Sequence, residues 1–314
     1  MWRQTVMTLR TLYPCENMDT LCALFGKTRQ AFYKWRQSDF SGAAMESIVI
    51  EEVKRIRQTA PGIGSTTLYR LLLSIFGKDN MMGRDRFYLL MKSNGLQLKR
   101  RRSYRTTNSW HHYHKWSNLT KGLVVTAPNQ LWVSDITYIK MRGGVCYLHL
   151  ITDAYSRKIL GWKVADSLEA KHTLEAFNNA ARDAAERGVD FGGLIHHSDR
   201  GVQYCCHLYV NRLQSLGIRI SMTEDYKPTD NAIAERVNGI IKQLFIDGQD
   251  FYEISDVYYA LSRGVPFYNE IRPHSSISHE APSRVHAGQI RDVKRMWKSR
   301  TPSKHIMATM ENCN

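Results

Sequence analysis

No run in the 314-residue chain approaches the roughly 18 consecutive apolar residues that a membrane helix needs, and the amino end, MWRQTVMTLRTLYPCEN, has no unbroken apolar stretch of the signal-peptide kind. The expectation is a cytoplasmic chain that neither spans a membrane nor carries a standard secretion signal. Cysteine is sparse and unpaired in spacing: Cys15, Cys22, Cys146, Cys205, Cys206 and Cys313 form no Cys-x-x-Cys pair. That argues against a disulfide scaffold or a zinc ribbon and predicts reduced, mostly buried thiols. Low-complexity tracts and clear internal repeats are also missing. With 43% hydrophobic and 23% charged residues, wholesale disorder is excluded, and the length suggests about two domains.

The most telling absence is of negative charge. Between Asp85 and Asp135 there is no acidic residue, yet Arg86, Lys92, Lys99, Arg100, Arg101, Arg102, Arg105, Lys115 and Lys121 fall in that interval. Residues 1 to 130 hold 21 Lys and Arg against 8 Asp and Glu, a net of +13, whereas residues 131 to 314 hold 23 against 21, a net of +2. A one-signed stretch interleaved with Tyr104, Trp110, Tyr113 and Trp116 suits a polyanion whose sugars or unpaired bases meet the rings. A solvated basic linker is the alternative.

What is present before residue 99 reads as helices. Asp19 can cap a helix carrying Leu21, Cys22, Leu24 and Phe25; Gly26 can make a turn; Thr28 can cap the helix RQAFYKWRQ, which displays Arg29, Tyr33, Lys34 and Arg36. This is helix-turn-helix spacing, although an ordinary small bundle would read alike. A second such unit follows, with a helix over 47–59 ending before Pro61, another from Ser65, and GRDRFYLLMKSNGL stopped at Asn94-Gly95, its exposed positions being Arg84, Arg86 and Lys92. The expected organisation is therefore 1–45 and 46–98 as two all-α helix-turn-helix-like units, 99–125 as a basic aromatic linker, 126–290 as an α/β core, and 291–314 as a tail.

At Gln130 the pattern changes to alternation. LWVSDITYIK, VCYLHLITDAYS and Lys158 to Val164 read as an antiparallel meander; a long helix follows Ser167, then the strand GLIHH, a helix over 204–216, the strand IRISM and a helix from Asn231. This order predicts an α/β fold, a mixed sheet flanked by helices.

Three carboxylates sit where such a sheet can present chemistry: Asp135 in mid-strand, Asp199 just after a strand, and Glu235 at the start of a helix, with 35 residues between the last two. An isolated carboxylate in an apolar strand is costly unless a cation neutralises it, and a divalent metal would serve. Lys242 lies seven residues after Glu235, within roughly 20° of the same helix face. Singly, each acid also admits a structural role: strand residue, turn former and first-turn helix acid. His111, His112 and His114 have no Cys pair nearby, so no zinc is expected. His196 and His197 fit buried strand-end residues as well as phosphate contacts, and Thr137, Tyr138 and Asn231 are expected to shape the pocket.

LWVSDITYI, HHSDRGVQY, PTDNAIAERVNGIIK and YNEIRPHSSI together resemble the bacterial insertion-sequence transposases of the DDE, retroviral integrase-like superfamily, of the second-frame product type. The resemblance implies an RNase H-like core with Asp135, Asp199 and Glu235 as catalytic and metal-holding residues for two Mg²⁺ ions, Mn²⁺ substituting, and Lys242 as a DNA contact. With the basic positions above it implies double-stranded DNA, element ends and target, as partner, through Arg29, Lys34, Arg84, Arg86, Lys99, Arg100, Arg101, Arg102, Arg105 and Arg272. Homo-oligomers on DNA and nucleoid association are further expectations. No leucine-zipper heptads are seen, which in that family often lie on a first-frame product joined by frameshifting, so a first-frame helix-turn-helix partner or fusion is expected. The rival readings are a non-catalytic DNA-binding regulator with a degenerate core and an RNase H-type nuclease; three intact acids weigh against the first and the basic front half against the second.

Overall fold

The computed structural model describes residues 2–98, 113–224, 231–290 and Val293, with backbone alone for residues 37–41. It divides into two compact units, residues 1–56 with 82–96 and residues 57–81 with 97–314. Helices α1 (Trp2–Leu12), α2 (Met18–Ala23), α3 (Arg29–Thr59), α4 (Ser65–Phe76) and α5 (Arg84–Ser93) come first. Among the described residues no helix is long and apolar enough to cross a membrane.

In the first unit, Val6, Leu21, Cys22 and Phe32 form a small core with Trp2, Phe25 and Trp35 packed on it. The cap of α2 differs from expectation: Asn17 Oδ1 accepts the Asp19 N–H at 3.1 Å, and Asp19 lies inside the helix, 3.5 Å from Arg29. The turn at Gly26 (φ +63°) and the bond from Ala31 N–H to Thr28 Oγ1 at 3.2 Å open α3 as expected.

The expected boundary at 45/46 falls inside α3, which runs unbroken from Arg29 to Thr59. Between the two expected helices the strongest helix-breaker is Gly42, a cost of only about 1 kcal/mol. Its missing side chain is used: a Cβ there would lie 3.1 Å from the Arg86 guanidinium, which bonds Glu46 at 2.8 Å.

Residues 57–81, expected with the second helical unit, belong instead to the core unit. Gly62 N–H donates to the Leu244 carbonyl at 3.0 Å, and a Cβ on residue 62 would stand 1.7 Å from the Gln243 carbonyl oxygen, so only glycine allows that approach.

The core sheet contains β1 (Leu131–Met141), β2 (Gly144–Asp153), β3 (Ile159–Ala165), β4 (Ile195–Ser198) and β5 (Arg219–Met222), in the order β3-β2-β1-β4-β5. The first three form the antiparallel meander, and β4 and β5 add in parallel. This is the mixed, helix-flanked sheet of an RNase H-like core. The helices are α6 (Ala170–Glu186), α7 (Val202–Cys205), α8 (His207–Ser215), α9 (Ala232–Ile241), α10 (Ile254–Pro266) and α11 (Pro282–His286). The single helix expected over 204–216 is two, parted where Cys206 is extended (φ −69°, ψ 150°).

Strand alternation sorts β1 between two cores. Trp132 and its neighbours pack under α6 and α8, with Phe177, Tyr209 and Leu213. Leu131 and Val133 point to the other face, with Val125, Ala154, Ile195 and, from α9, Ala234. The chain after α9 continues through a π-helical turn, Lys242–Ile246, then α10 and a second π-helical turn, Phe267–Ile271. Asn269 fastens this end to the sheet: it accepts the Ile159 N–H and donates to the Ile159 carbonyl, both at 2.9 Å.

Candidate active site

Asp135 shares a strand face with Leu131 and Val133, the face that α9 covers. The parallel pairing of β1 with β4 matches Leu131 with Ile195 and Val133 with His197. Carried two residues further, the same offset brings Asp199 alongside Asp135, on the same face and one strand over, where neighbouring strands lie about 4.8 Å apart. Asp199 turns the chain out of β4, its Oδ1 accepting the Gly201 N–H at 2.9 Å.

Helix α9 supplies the third side. At 100° per residue, Asn231, Glu235, Asn238 and Lys242 fall within a sector of roughly 60°. The buried asparagines fix where that stripe points: Asn231 Nδ2 donates to the Ser134 carbonyl at 3.0 Å, and Asn238 Nδ2 donates to Asp135 Oδ2 at 2.8 Å. Glu235 stands between them, exposed on the first turn of α9. Lys242 is half-buried at the head of the π-helical turn, its carbonyl accepting the Asp247 N–H at 2.7 Å. Such turns inside α-helices are frequent at functional sites.

The electrostatics follow from that packing. Desolvation pushes the Asp135 carboxyl up to about 7, the negative charges of Asp199 and Glu235 add to the rise, and the Asn238 and Ile136 N–H groups oppose it. Two amide oxygens on this stripe, Asn231 Oδ1 and Asn238 Oδ1, are buried without a hydrogen-bond partner among the described residues. Hard oxygen donors around a crowded set of carboxylates suit Mg²⁺ or Mn²⁺ better than a softer metal. Among the described residues no three His, Cys, Asp or Glu side chains close into a ready-made metal cage.

The remaining expected residues are dispersed. Arg29 and Lys34 are exposed on the first turns of α3, and Arg84 and Arg86 on α5, with Arg29, Arg84 and Arg86 each beside a surface acid. Exposed pairs of this kind are worth about 0–1 kcal/mol and yield readily to phosphate. Lys99, Arg100, Arg101, Arg102 and Arg105 lie outside the described residues, as do His111, His112 and nearly all of the tail. Arg272 is half-buried over the ring of Tyr268 at 5.9 Å. Tyr138 packs on Tyr147 with ring centroids 5.2 Å apart.

His196 points away from the carboxylates, buried against Tyr209, whose hydroxyl is 3.0 Å from its Nε2. Burial holds its pKa down at about 3. His197 Nδ1 is 2.8 Å from Ser221 Oγ. Asn238, the residue that touches Asp135, escaped the sequence reading. Its trace was a polar side chain three positions after Glu235, on the same helix face, in an otherwise apolar segment.

Residues 125–228 and 216–282 each match an Integrase core domain family. Over 163 residues the chain is 37% identical to a "Putative transposase for insertion sequence element IS986/IS6110" of Mycobacterium tuberculosis (strain ATCC 25618 / H37Rv), covering 51% of this chain. That match spans 59% of the mycobacterial protein's length. The "Insertion element IS600 uncharacterized 31 kDa protein" of Shigella sonnei is 32% identical over 269 residues, 84% of this chain and 96% of that one. The HTLV-2 integrase catalytic core domain, solved in complex with magnesium in a trimeric form, superposes on 51% of this chain and 97% of its own at a TM-score of 0.40 and 19% identity.

Proposed function

The chain belongs to the insertion-sequence transposases that carry an integrase core domain, and from that membership we propose that it nicks the ends of a mobile DNA element and joins the freed strand to DNA, in a metal-dependent reaction. One observation carries the reading: the β1–β4 register sets Asp199 beside Asp135 beneath the α9 stripe that bears Glu235. Three carboxylates drawn together there would make the donor set that phosphodiester chemistry requires.

Asp135, Asp199 and Glu235 would hold a pair of Mg²⁺ ions, for which Mn²⁺ can substitute. Bound there, such ions activate the attacking oxygen and stabilise the leaving one. The chain's own residues do the rest. Asn238 orients Asp135 through a 2.8 Å hydrogen bond, and Asn231 anchors the start of α9 to β1 at the Ser134 carbonyl. Lys242, on the Glu235 face of the helix, offers an ammonium to a DNA phosphate and keeps the strand in register for attack. The first unit, with Arg29 and Lys34 on α3 and Arg84 and Arg86 on α5, would grip duplex DNA, and the basic segment from Lys99 to Arg105 would add sequence-independent phosphate contacts. We assign catalysis to residues 126–290. Copies of the chain would act together on paired ends, with a first-frame partner or fusion contributing where the element encodes one.

The test is end cleavage by the purified chain on DNA carrying the termini that flank its reading frame. Asp135→Asn, Asp199→Asn and Glu235→Gln should each abolish nicking and leave DNA binding largely intact. A purified variant that still nicks at the wild-type rate would overturn the assignment.

A further inference from the structure

One cation of the core is buried with nothing to pair with. Lys158, the residue before β3, is 9% exposed, although lysine is almost never buried without a partner. Its backbone is engaged: the carbonyl accepts the Asp153 N–H at 2.9 Å, and the N–H donates to Ser156 Oγ at 3.3 Å. Among the described residues its ammonium makes no hydrogen bond and no ion pair.

Lys158 lines a cavity of about 380 Å³ between the C-terminal half of α6, the start of β3 and α11. Pockets that take small molecules run from roughly 300 to 1,000 Å³. Leu160, Ala180, Ala184 and Val189 give the cavity an apolar wall, and they belong to the core on the α6 side of the sheet, the face opposite the one that α9 covers. The site is therefore separate from the carboxylate centre. Arg187, Glu270 and Arg284 line it too but are exposed, so the ammonium lies deep and charged side chains stand at the mouth.

The acids around the lysine are each held by another donor. Asp183 pairs with Arg187 at 3.1 Å, and the Ser283 hydroxyl donates to Glu270 at 2.5 Å. Asp153 accepts the Ser156 hydroxyl at 2.6 Å and the Asn129 N–H at 2.8 Å. Arg284 at the mouth has its own partner, Glu280, at 2.7 Å. Burial, then the charge of Arg187, holds the Lys158 ammonium below its ordinary pKa, and Asp183, Glu270 and Asp153 oppose that shift without reaching it. An unpaired buried charge is costly, and an anion brought into the cavity would relieve the cost. One unpaired cation matches one negative charge, whereas the acids at the mouth repel a second. The wall of small apolar side chains suits a short hydrocarbon body.

We propose that this cavity binds a small organic monocarboxylate, with the carboxylate on the Lys158 ammonium and the hydrocarbon body along Leu160, Ala180 and Ala184. The inference is independent of the reaction assigned to Asp135, Asp199 and Glu235. A ligand seated there touches α6, α11 and the start of β3 at once, and it stabilises the fold by mass action.

Thermal melting of the full-length chain tests this, with benzoate and hexanoate as probes, their neutral amides as controls and inorganic phosphate as the competing anion. The acids should raise the melting temperature in a saturable way, and the amides and phosphate should not. Lys158→Met should melt above the wild type without any probe, because it removes an unpaired buried charge, and its affinity for the acids should fall by about tenfold or more, the worth of one charge-assisted hydrogen bond. Ala287 also lines the cavity and is exposed, so Ala287→Phe should obstruct the site without disturbing the core, and it decides the matter if Lys158→Met fails to fold. The proposal is overturned if neither acid stabilises the wild type saturably, if the amides do so equally, or if a folded Lys158→Met or Ala287→Phe binds the acids as the wild type does. Phosphate binding that depends on Lys158 and exceeds that of the acids would overturn the carboxylate assignment.

Discussion

Asp135→Asn should stabilise the metal-free protein at neutral pH while destroying its activity. The ordinary value for an aspartate is 3.8, and in the folded chain burial, then Asp199 and Glu235, lift Asp135 to about 7. Between these values the folded state holds a proton that the unfolded state has lost. The resulting stability is fully present below the unfolded value and is lost as pH rises through about 7. At 1.36 kcal/mol per unit, the full difference by about pH 8 is on the order of 4 kcal/mol, an upper bound because the site can relax around the charge. Half of that would move the melting temperature by several degrees. Asparagine never ionises and can still accept the Asn238 N–H that reaches Asp135 Oδ2 at 2.8 Å. In chelator at about pH 8 the variant should therefore melt above the wild type, and the gap should shrink by more than half at about pH 5. Adding Mg²⁺ should raise the wild type at the higher pH and leave the variant unmoved, since only the former gains a ligand. Equal melting at the higher pH in chelator, or a variant less stable than the wild type there, would refute the argument that these carboxylates crowd one another.

Lys242→Ala should melt like the wild type and bind duplex DNA almost as well, yet lose most end cleavage and joining, with Arg restoring part of both; reduced stability with normal activity per folded molecule would leave Lys242 a structural residue. Replacing Lys99, Arg100, Arg101 and Arg102 together by Ala should weaken binding to all sequences alike and make its salt dependence shallower, measured by anisotropy, whereas a selective loss of end recognition would assign them to base reading. Asn269→Ala should cost about 2–4 kcal/mol in chemical denaturation, because it leaves both buried backbone groups of Ile159 unpaired; a loss under about 0.5 kcal/mol would mean water replaces the clasp.

The meander, the parallel additions and most core helices were legible because alternation and helical periodicity are local properties, and in this core they agree with the tertiary packing. The three acids were legible as residues but not as a group. What unites Asp135 and Asp199 is the offset between β1 and β4, a pairing between strands far apart in sequence that no local pattern reveals. Asn238 went unread for the same reason, since its importance lies in the strand it faces. The front half was harder. The boundary expected at 45/46 falls where the bare backbone of Gly42 makes room for Arg86 beside Glu46, and α3 continues through it. Gly62, just past the helix end expected before Pro61, is where residues 57–81 close onto the Gln243 carbonyl. Asn17 took the cap expected of Asp19 because the helix begins two residues earlier than the hydrophobic pattern suggests. The YNEIRPH segment stood out as a motif, while its work as a clasp on β3 and on the Arg157 carbonyl is visible only in three dimensions.

The central claim, that Asp135, Asp199 and Glu235 form one metal-dependent centre for DNA cleavage, is tested most directly by a single-turnover assay. The purified chain is incubated with end-labelled duplex carrying the termini that flank its reading frame, with Mg²⁺ or with chelator, beside Asp135→Asn prepared in the same way. The account predicts strand nicking at the terminus by the wild type in Mg²⁺ alone and none by the variant. Nicking in chelator, or undiminished nicking by Asp135→Asn, would contradict it.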